Sequence, residues 1–379
     1  MAPPENHYQG DERGPPVDFF ARSRPVKKLN SDFAILAENE GYSPARGIIE
    51  PMMRWYEDAD GNFVEQFQTT GFDQRIWELY LFATFTEMDY ELDRSTPVPD
   101  FLCSGIRGEV AVEAVTVGPT REGGVVVPPP PLDTAEDRLR FLRHYMPIKF
   151  GSALFSKLQK SYWKRENVAG KPLLFAIEDF SSPASMIRTR SALDCYLYGY
   201  DHDWEHDGAG TLKILPRRIE THKWGEKVIP SGFFDQPGAE NVSAVLFSNS
   251  GTIAKFNRMG LVTGFGSQRV LAIREGICVD HDPNAVAPRG FRFVVNAPGY
   301  METWAEGLDV FHNPRALIPV KEHSLPGAAH HYLRNDGQLL SRTPDWHPLA
   351  SITRHYFPVD VEDALARLAA NQERSSEKD

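Results

Sequence analysis

The sequence predicts an α/β fold, and three stretches carry that prediction. In "FDQRIWELYLFATF" the apolar residues Ile76, Leu79, Tyr80, Ala83 and Phe85 recur near helical period, which places an amphipathic helix over residues 73 to 88. In "GEVAVEAVTV" the period is two, with Val110, Val112, Ala114 and Thr116 on one face and Ala111, Glu113, Val115 and Val117 on the other. The continuous apolar run from Pro172 to Ile177, in "KPLLFAIEDF", reads as a strand buried on both faces.

The remaining elements follow in chain order. Residues 1 to 30 are Pro-rich and polar and are expected to be a mobile leader. Pro99 sets an extended backbone, and Asp100 precedes the apolar Phe101 and Leu102, so an acid stands at a strand start. Residues 118 to 133 form a Pro-rich insertion, whose prolines 128 to 131 exclude a central strand, and Asp133 or Thr134 caps the next helix. A second helix starts near Gly151, with Leu154, Leu158 and Tyr162 as its core stripe and Lys157, Lys160 and Lys164 on an adjacent face. Beyond Asp179, "SMIRTRSALDCYLYGY" reads as helix and "GTLKILPRRIE" as strand. "NVSAVLFSNSGTIAKFNRMG" reads as a strand turning into a helix, and strands with a closing helix follow. Residues 31–230 are taken as the core, 231–370 as an α+β C-terminal extension ending in a helix from Val361 to Ala370, and 371–379 as a tail.

Composition narrows the function. No apolar run approaches the roughly 18 residues of a membrane span, and the start has neither the basic nor the apolar region of a secretory signal. The three cysteines, Cys103, Cys195 and Cys278, are odd in number and scattered, against a disulfide framework or a cysteine-based zinc site; a cytoplasmic location is expected. The net charge is −11, yet Arg138, Arg140, Arg143, Lys149, Lys157, Lys160, Lys164, Arg165 and Lys171 fall together against the single acid Glu166. Such a run is often only a solvated face. Here it can supply phosphate contacts through Lys149, Lys160, Lys164 and Arg165, with Tyr162 and Trp163 as stacking surfaces.

Glu78 near the buried stripe of its helix, Asp100 at a strand start and Glu113 interrupting an apolar strand face form an ordered set of acids. An ionised carboxylate in the Glu113 setting is costly without a cation or hydrogen bonds, and a hard divalent cation prefers such oxygens. With the lysine-rich helix and the apolar strand that follow, this order resembles the PD-(D/E)XK, or restriction-endonuclease-like, nuclease superfamily over roughly residues 65 to 180. The resemblance implies a core of helix, three antiparallel strands, helix and strand. It also implies Mg²⁺, with Mn²⁺ as a substitute, held by Asp100 and Glu113 with Glu78 assisting, and hydrolysis of DNA or RNA by a metal-activated water. Nucleic acid is then the expected partner, DNA ahead of RNA, with no membrane, and a homodimer where both strands of a duplex are cut.

The sequence departs from the superfamily pattern where a lysine is expected two residues after the strand glutamate, because that position is Val115. Either hydrolysis is lost or another lysine supplies the charge that stabilises the transition state. Lys157 is the first choice for a catalytic role, and Lys149 and Lys160 remain open. Two alternatives stand beside the nuclease: an inactive nuclease-fold protein that binds nucleic acid or a protein partner, and a zinc hydrolase centred on His202 and His206 in "YGYDHDWEHDGAG". The glycines of that segment favour a loop over the helix that would align the two imidazoles. The Ser248-Asn249-Ser250-Gly251 turn before a helix could hold an anion, although ordinary capping explains it as well.

Overall fold

A computed structural model describes residues 19–21, 25, 28–53, 56, 62–182, 185, 189–358 and 360–376. Most of the expected leader and the last three residues of the expected tail lie outside the described residues. Four helices come first: α1 (Ser31–Glu38), α2 (Ser43–Met53), α3 (Phe63–Gln68) and α4 (Phe72–Glu87). Next are β1 (Glu91–Asp93), β2 (Phe101–Gly105), β3 (Gly108–Val117) and a small hairpin of β4 (Arg121–Glu122) and β5 (Val125–Val126). Helices α5 (Ala135–Arg140) and α6 (Met146–Leu158) lead to β6 (Leu173–Asp179) and α7 (Arg190–Tyr198). Two hairpins follow, β7 (Tyr200–His206) with β8 (Leu212–Arg218) and β9 (Thr221–Trp224) with β10 (Lys227–Pro230). The chain continues through β11 (Ala244–Ser248), α8 (Ile253–Val262), β12 (Leu271–Cys278), β13 (Arg289–Val294), β14 (Leu308–His312), β15 (Ala329–Leu333), β16 (Leu339–Arg342), β17 (Pro348–Tyr356) and α9 (Val361–Ser376).

Eight strands form one mixed sheet in the order β1-β2-β3-β6-β11-β14-β15-β16. Strands β1, β2 and β3 are antiparallel, β3, β6 and β11 are parallel, and β14 runs antiparallel to β11. The parallel β3–β6 step is reached through α6, as a crossover requires. The sheet is buried on both faces. Val110, Val112, Ala114, Leu174, Ala176 and Leu246 pack with Ile76, Trp77 and Tyr80 of α4 on one side. On the other side, Ala111, Val115, Val117, Phe175 and Ile177 pack with Phe150, Leu154 and Leu158 of α6 and Leu193 and Tyr196 of α7. This is a three-layer α/β architecture. The alternation along β3 therefore separates the two cores and leaves Glu113 on the α6 side.

The sheet crosses the boundary expected at residue 230, since β11, β14, β15 and β16 extend it, while β13-β12-β17 form a separate three-stranded sheet. Four local expectations are corrected. The second helix starts at Met146 and ends at Leu158, and Ser161 takes a left-handed conformation, so Lys160 and Lys164 are not on its face. The segment around His202 and His206 is a strand rather than a loop. The stretch expected to close with a helix after β13 instead turns into β14, and the terminal helix runs to Ser376. Thr134 caps α5 as expected, in a reciprocal pair with Asp137. Among the described residues no helix is long and apolar enough to cross a membrane.

Candidate active site

Helix α4, the β2–β3 pair and helix α6 bring together the acids and the lysine singled out in the sequence. Phe101 pairs with Val112 across β2 and β3, so Asp100, one residue earlier, stands at the level of Glu113. Asp100 is tied there by a backbone hydrogen bond, Ala114 N donating to Oδ2 at 2.8 Å. Glu113 is buried, and its Oε1 accepts from Lys157 Nζ at 2.5 Å and from Tyr162 OH at 2.7 Å. Lys157 projects from the last turn of α6 onto the strand face that Glu113 shares with Val115.

Glu78 faces α4's side of the sheet and is fully engaged. Its Oε2 accepts from Tyr56 OH and Arg75 Nη1, both at 2.7 Å, with Arg94 Nη2 at 3.9 Å, and its Oε1 accepts from Gln74 Nε2 at 2.9 Å. Arg94 lies over the rings of Tyr56 and Phe101, 3.8 and 4.7 Å from their centroids. A cavity of about 130 Å³ opens here, lined by Gln66, Gln74, Arg75, Glu78, Arg94, Thr96, Pro97 and Asp100. The electrostatics register the crowding. Burial first, then the charges of Glu113 and Glu78, push the Asp100 carboxyl up to about 8, against the opposing pull of Lys157.

The donor atoms test whether a divalent cation fits. Asp100 and Glu113 stand at neighbouring register positions and offer hard oxygen donors, with Glu113 Oε1 already accepting from Lys157 and Tyr162 and Asp100 Oδ2 from Ala114 N. Glu78 does not complete the set in this arrangement, because Arg75, Tyr56 and Gln74 occupy its oxygens. Among the described residues no group of three or more His, Cys, Asp and Glu is placed to hold a metal ion. A cation at this site would therefore be held by two carboxylates and complete its shell with backbone, water or substrate oxygens, as Mg²⁺ commonly does.

The other expected residues separate into three outcomes. Lys149 is turned toward the loop after β3, donating to Gly118 O at 2.8 Å and Thr120 Oγ1 at 3.0 Å, which uses two of its three N–H groups. Lys160, Lys164 and Arg165 are exposed beyond the end of α6. The zinc reading fails on geometry. Four residues along a strand separate His202 from His206 by roughly 13 Å, and their ring nitrogens meet the carbonyls of Gly337 and Asn284. The Ser248–Gly251 turn likewise offers no anion site, since Gly251 packs directly against the buried Glu178 carboxyl and Trp77.

Sequence reasoning missed the role of Tyr162 as a Glu113 donor and the cations that hold Glu78. Arg75 was findable, being one helical turn before Glu78. Arg94 was not, because only the tertiary fold carries it there. No family model, curated protein or solved structure matches the chain.

Proposed function

We propose that this chain is a divalent-metal-dependent phosphodiesterase acting on nucleic acid, built on a restriction-endonuclease-like core. The observation that carries the reading is the junction of Asp100, Glu113 and Lys157, with Lys157 Nζ 2.5 Å from Glu113 Oε1. Helix α4, the antiparallel β1, β2 and β3, helix α6 and strand β6 follow one another with the β4–β5 hairpin and α5 inserted before α6, an order compatible with the helix, three antiparallel strands, helix and strand of the resemblance. It supports the reading without depending on the missing lysine at Val115.

Asp100 and Glu113 would hold Mg²⁺ or Mn²⁺. That ion, when bound, supplies Lewis-acid stabilisation of the phosphoryl oxygens and a water of lowered pKa. The chain's own groups do the rest. Lys157 keeps a positive charge beside the carboxylates, where negative charge develops on the phosphoryl group in an in-line displacement. Tyr162 fixes the rotamer of Glu113 by donating to its Oε1. The Ala114 N–H does the same for Asp100. Glu78, although paired with Arg75, adds after burial and Glu113 to the influences that raise the Asp100 carboxyl. Lys160, Lys164 and Arg165 are exposed and available to nucleic-acid phosphates.

The test is cleavage of labelled single- and double-stranded DNA and RNA with Mg²⁺ or Mn²⁺ by the wild type, Asp100→Ala and Glu113→Ala, each checked for folding. Cleavage requiring the metal and both carboxylates is the expected result. Val115, apolar and buried where the superfamily places its lysine, favours a second reading, an inactive binding module. Retained nucleic-acid binding with no cleavage under any metal would select it.

A further inference from the structure

A second cavity, of about 620 Å³, lies against the β12–β13 sheet, under residues 297–303 and beside Trp346. Its size falls in the range that encloses small organic ligands. Three aromatic rings line it: Phe293 and Trp346 with centroids 5.2 Å apart, and Tyr300 6.1 Å from Phe293. Phe293 is 37 % exposed, and Met301, on the rim, is 85 % exposed. Polar groups of Arg274 and Glu306 lie at the bottom, joined by an ion pair of 2.5 Å between Nη1 and Oε1.

The charge around that pair decides what kind of ligand the cavity suits. Lys255, Arg258 and Arg274 meet Glu302 and Glu306 in one buried network, three cations against two carboxylates. An ammonium ligand would meet this positive excess despite the aromatic walls, and a bare anion would meet the Glu306 carboxylate. A neutral flat ligand avoids both. Arg274 Nη2 is buried with no hydrogen-bond partner, and Glu306 Oε1 accepts from Arg274 Nη1, so the pair holds one donor that no protein group uses. Nucleobases carry adjacent acceptor and donor atoms on a π-faced ring, and stacking on aromatic side chains is how such rings are held.

We propose that this cavity binds a nucleobase, stacked on the face of Phe293 or Trp346 and edge-on to the other, the two rings standing at 63° to each other, with its polar edge toward the Arg274–Glu306 pair. Nη2 has no exposed surface, so a ligand atom reaches it only when the wall side chains shift. The site belongs to the β13-β12-β17 sheet and shares no lining residue with the carboxylate site, so it does not depend on the nuclease reading. The base could come from a free nucleotide or from a nucleic-acid strand.

Calorimetric titration with AMP, GMP, CMP and UMP, with single-stranded homopolymer DNA and with ribose 5-phosphate, in metal-free buffer, tests the proposal. At least one nucleotide or homopolymer is expected to bind and ribose 5-phosphate to fail. A strand that binds where mononucleotides do not would assign the base to nucleic acid, and the reverse to a free nucleotide. Folded Phe293→Ala and Trp346→Ala should each weaken binding about tenfold or more. Met301→Trp, which narrows the mouth from an exposed position, should weaken it without touching the core. Glu205→Gln, at an exposed position on β7 that lines neither cavity, should bind as the wild type does. The proposal is overturned if no base binds at millimolar concentration, if ribose 5-phosphate binds as well as the nucleotides, or if the cavity variants bind unchanged.

Discussion

Lys157 and Glu113 are 44 residues apart in the chain and on different layers of the fold, yet their side chains meet at 2.5 Å, on the strand face where Val115 points. A lysine at position 115 and a lysine at position 157 therefore address the same space from opposite sides, one from the sheet and one from the helix covering it.

This relationship yields a rescue experiment. Lys157→Met is expected to lower metal-dependent cleavage by about 10²- to 10³-fold, the usual effect of removing one group that stabilises transition-state charge. Adding Val115→Lys should then restore a substantial part of the lost kcat, because the new ammonium enters from the strand while the introduced thioether fills the helix side. Single-turnover rates at saturating Mg²⁺ are the measurement. If Lys157→Met cleaves at the wild-type rate, Lys157 has no part in the chemistry.

The Asp100 carboxyl makes a pH-dependent case for the cation. Its pKa in the folded chain, about 8, lies above the ordinary carboxylate value, so the folded state binds the extra proton and stability falls as pH rises from about 4 to 8. A divalent cation reverses this, because it binds the ionised form and stabilises the folded state by mass action. Thermal melts should show Mg²⁺ raising Tm little at pH 5.5 and clearly at pH 8. Asp100→Asn, which removes the charge, should melt higher than wild type at pH 8 without metal and ignore Mg²⁺. An equal Mg²⁺ effect in both proteins would place the ion elsewhere.

What the sequence made legible was whatever repeats locally. The α4 stripe and the two faces of β3 recur at 3.6 and 2 residues, and each matches a core that the fold builds separately. Glu113 stood out because it breaks such a face. β7 was illegible for the converse reason: Asp201, His202, Asp203, Glu205 and His206 give no apolar alternation, and the strand exists through its pairing with β8. The engagement of Lys149 could not be foreseen either. Its position among the basic residues suggested phosphate binding, but its partners come from the turn after β3, 29 and 31 residues earlier. The Lys255–Glu302 pair likewise spans 47 residues with no local signature.

Buried histidines set the acid limit of stability. The His331 Nε2 lies 2.9 Å from Arg190 Nη2 and 2.8 Å from Asp309 Oδ1 in a closed setting, and burial draws its pKa down to about 4; burial draws His312 to about 3 and His355 to about 4. Each is neutral in the folded chain and protonates near 6.5 when unfolded, so the unfolded state gains protons first as pH falls. The histidines' own contribution should be flat above about 6.5 and decline toward pH 4, by about 3 kcal/mol for His331 alone, against the opposite slope that Asp100 adds between about pH 4 and 8. Urea midpoints across that window measure it. His331→Gln should flatten the slope between pH 6.5 and 4; an unchanged slope would remove His331 from the account.

The Glu302 network gives the largest expected stability effect. Glu302 accepts from Lys255 Nζ at 2.7 Å and from Arg258 Nη2 at 2.8 Å and Nε at 2.8 Å, and it takes the Tyr300 hydroxyl at 2.6 Å. These partners hold its carboxyl well below the usual range although burial pulls the other way. Replacing it with glutamine leaves Lys255, Arg258 and Arg274 buried together with only Glu306 to offset them, and removing one partner of a buried ion cluster costs about 3–5 kcal/mol. Glu302→Gln should therefore shift the urea midpoint sharply. Glu205→Gln, at an exposed position on β7, should stay within about 0.5 kcal/mol. Because the carboxylate is what keeps three cations together, Lys255→Met in the Glu302→Gln background should recover part of the loss. A double variant no more stable than Glu302→Gln would mean that the cost arises from lost hydrogen bonds rather than from uncompensated charge.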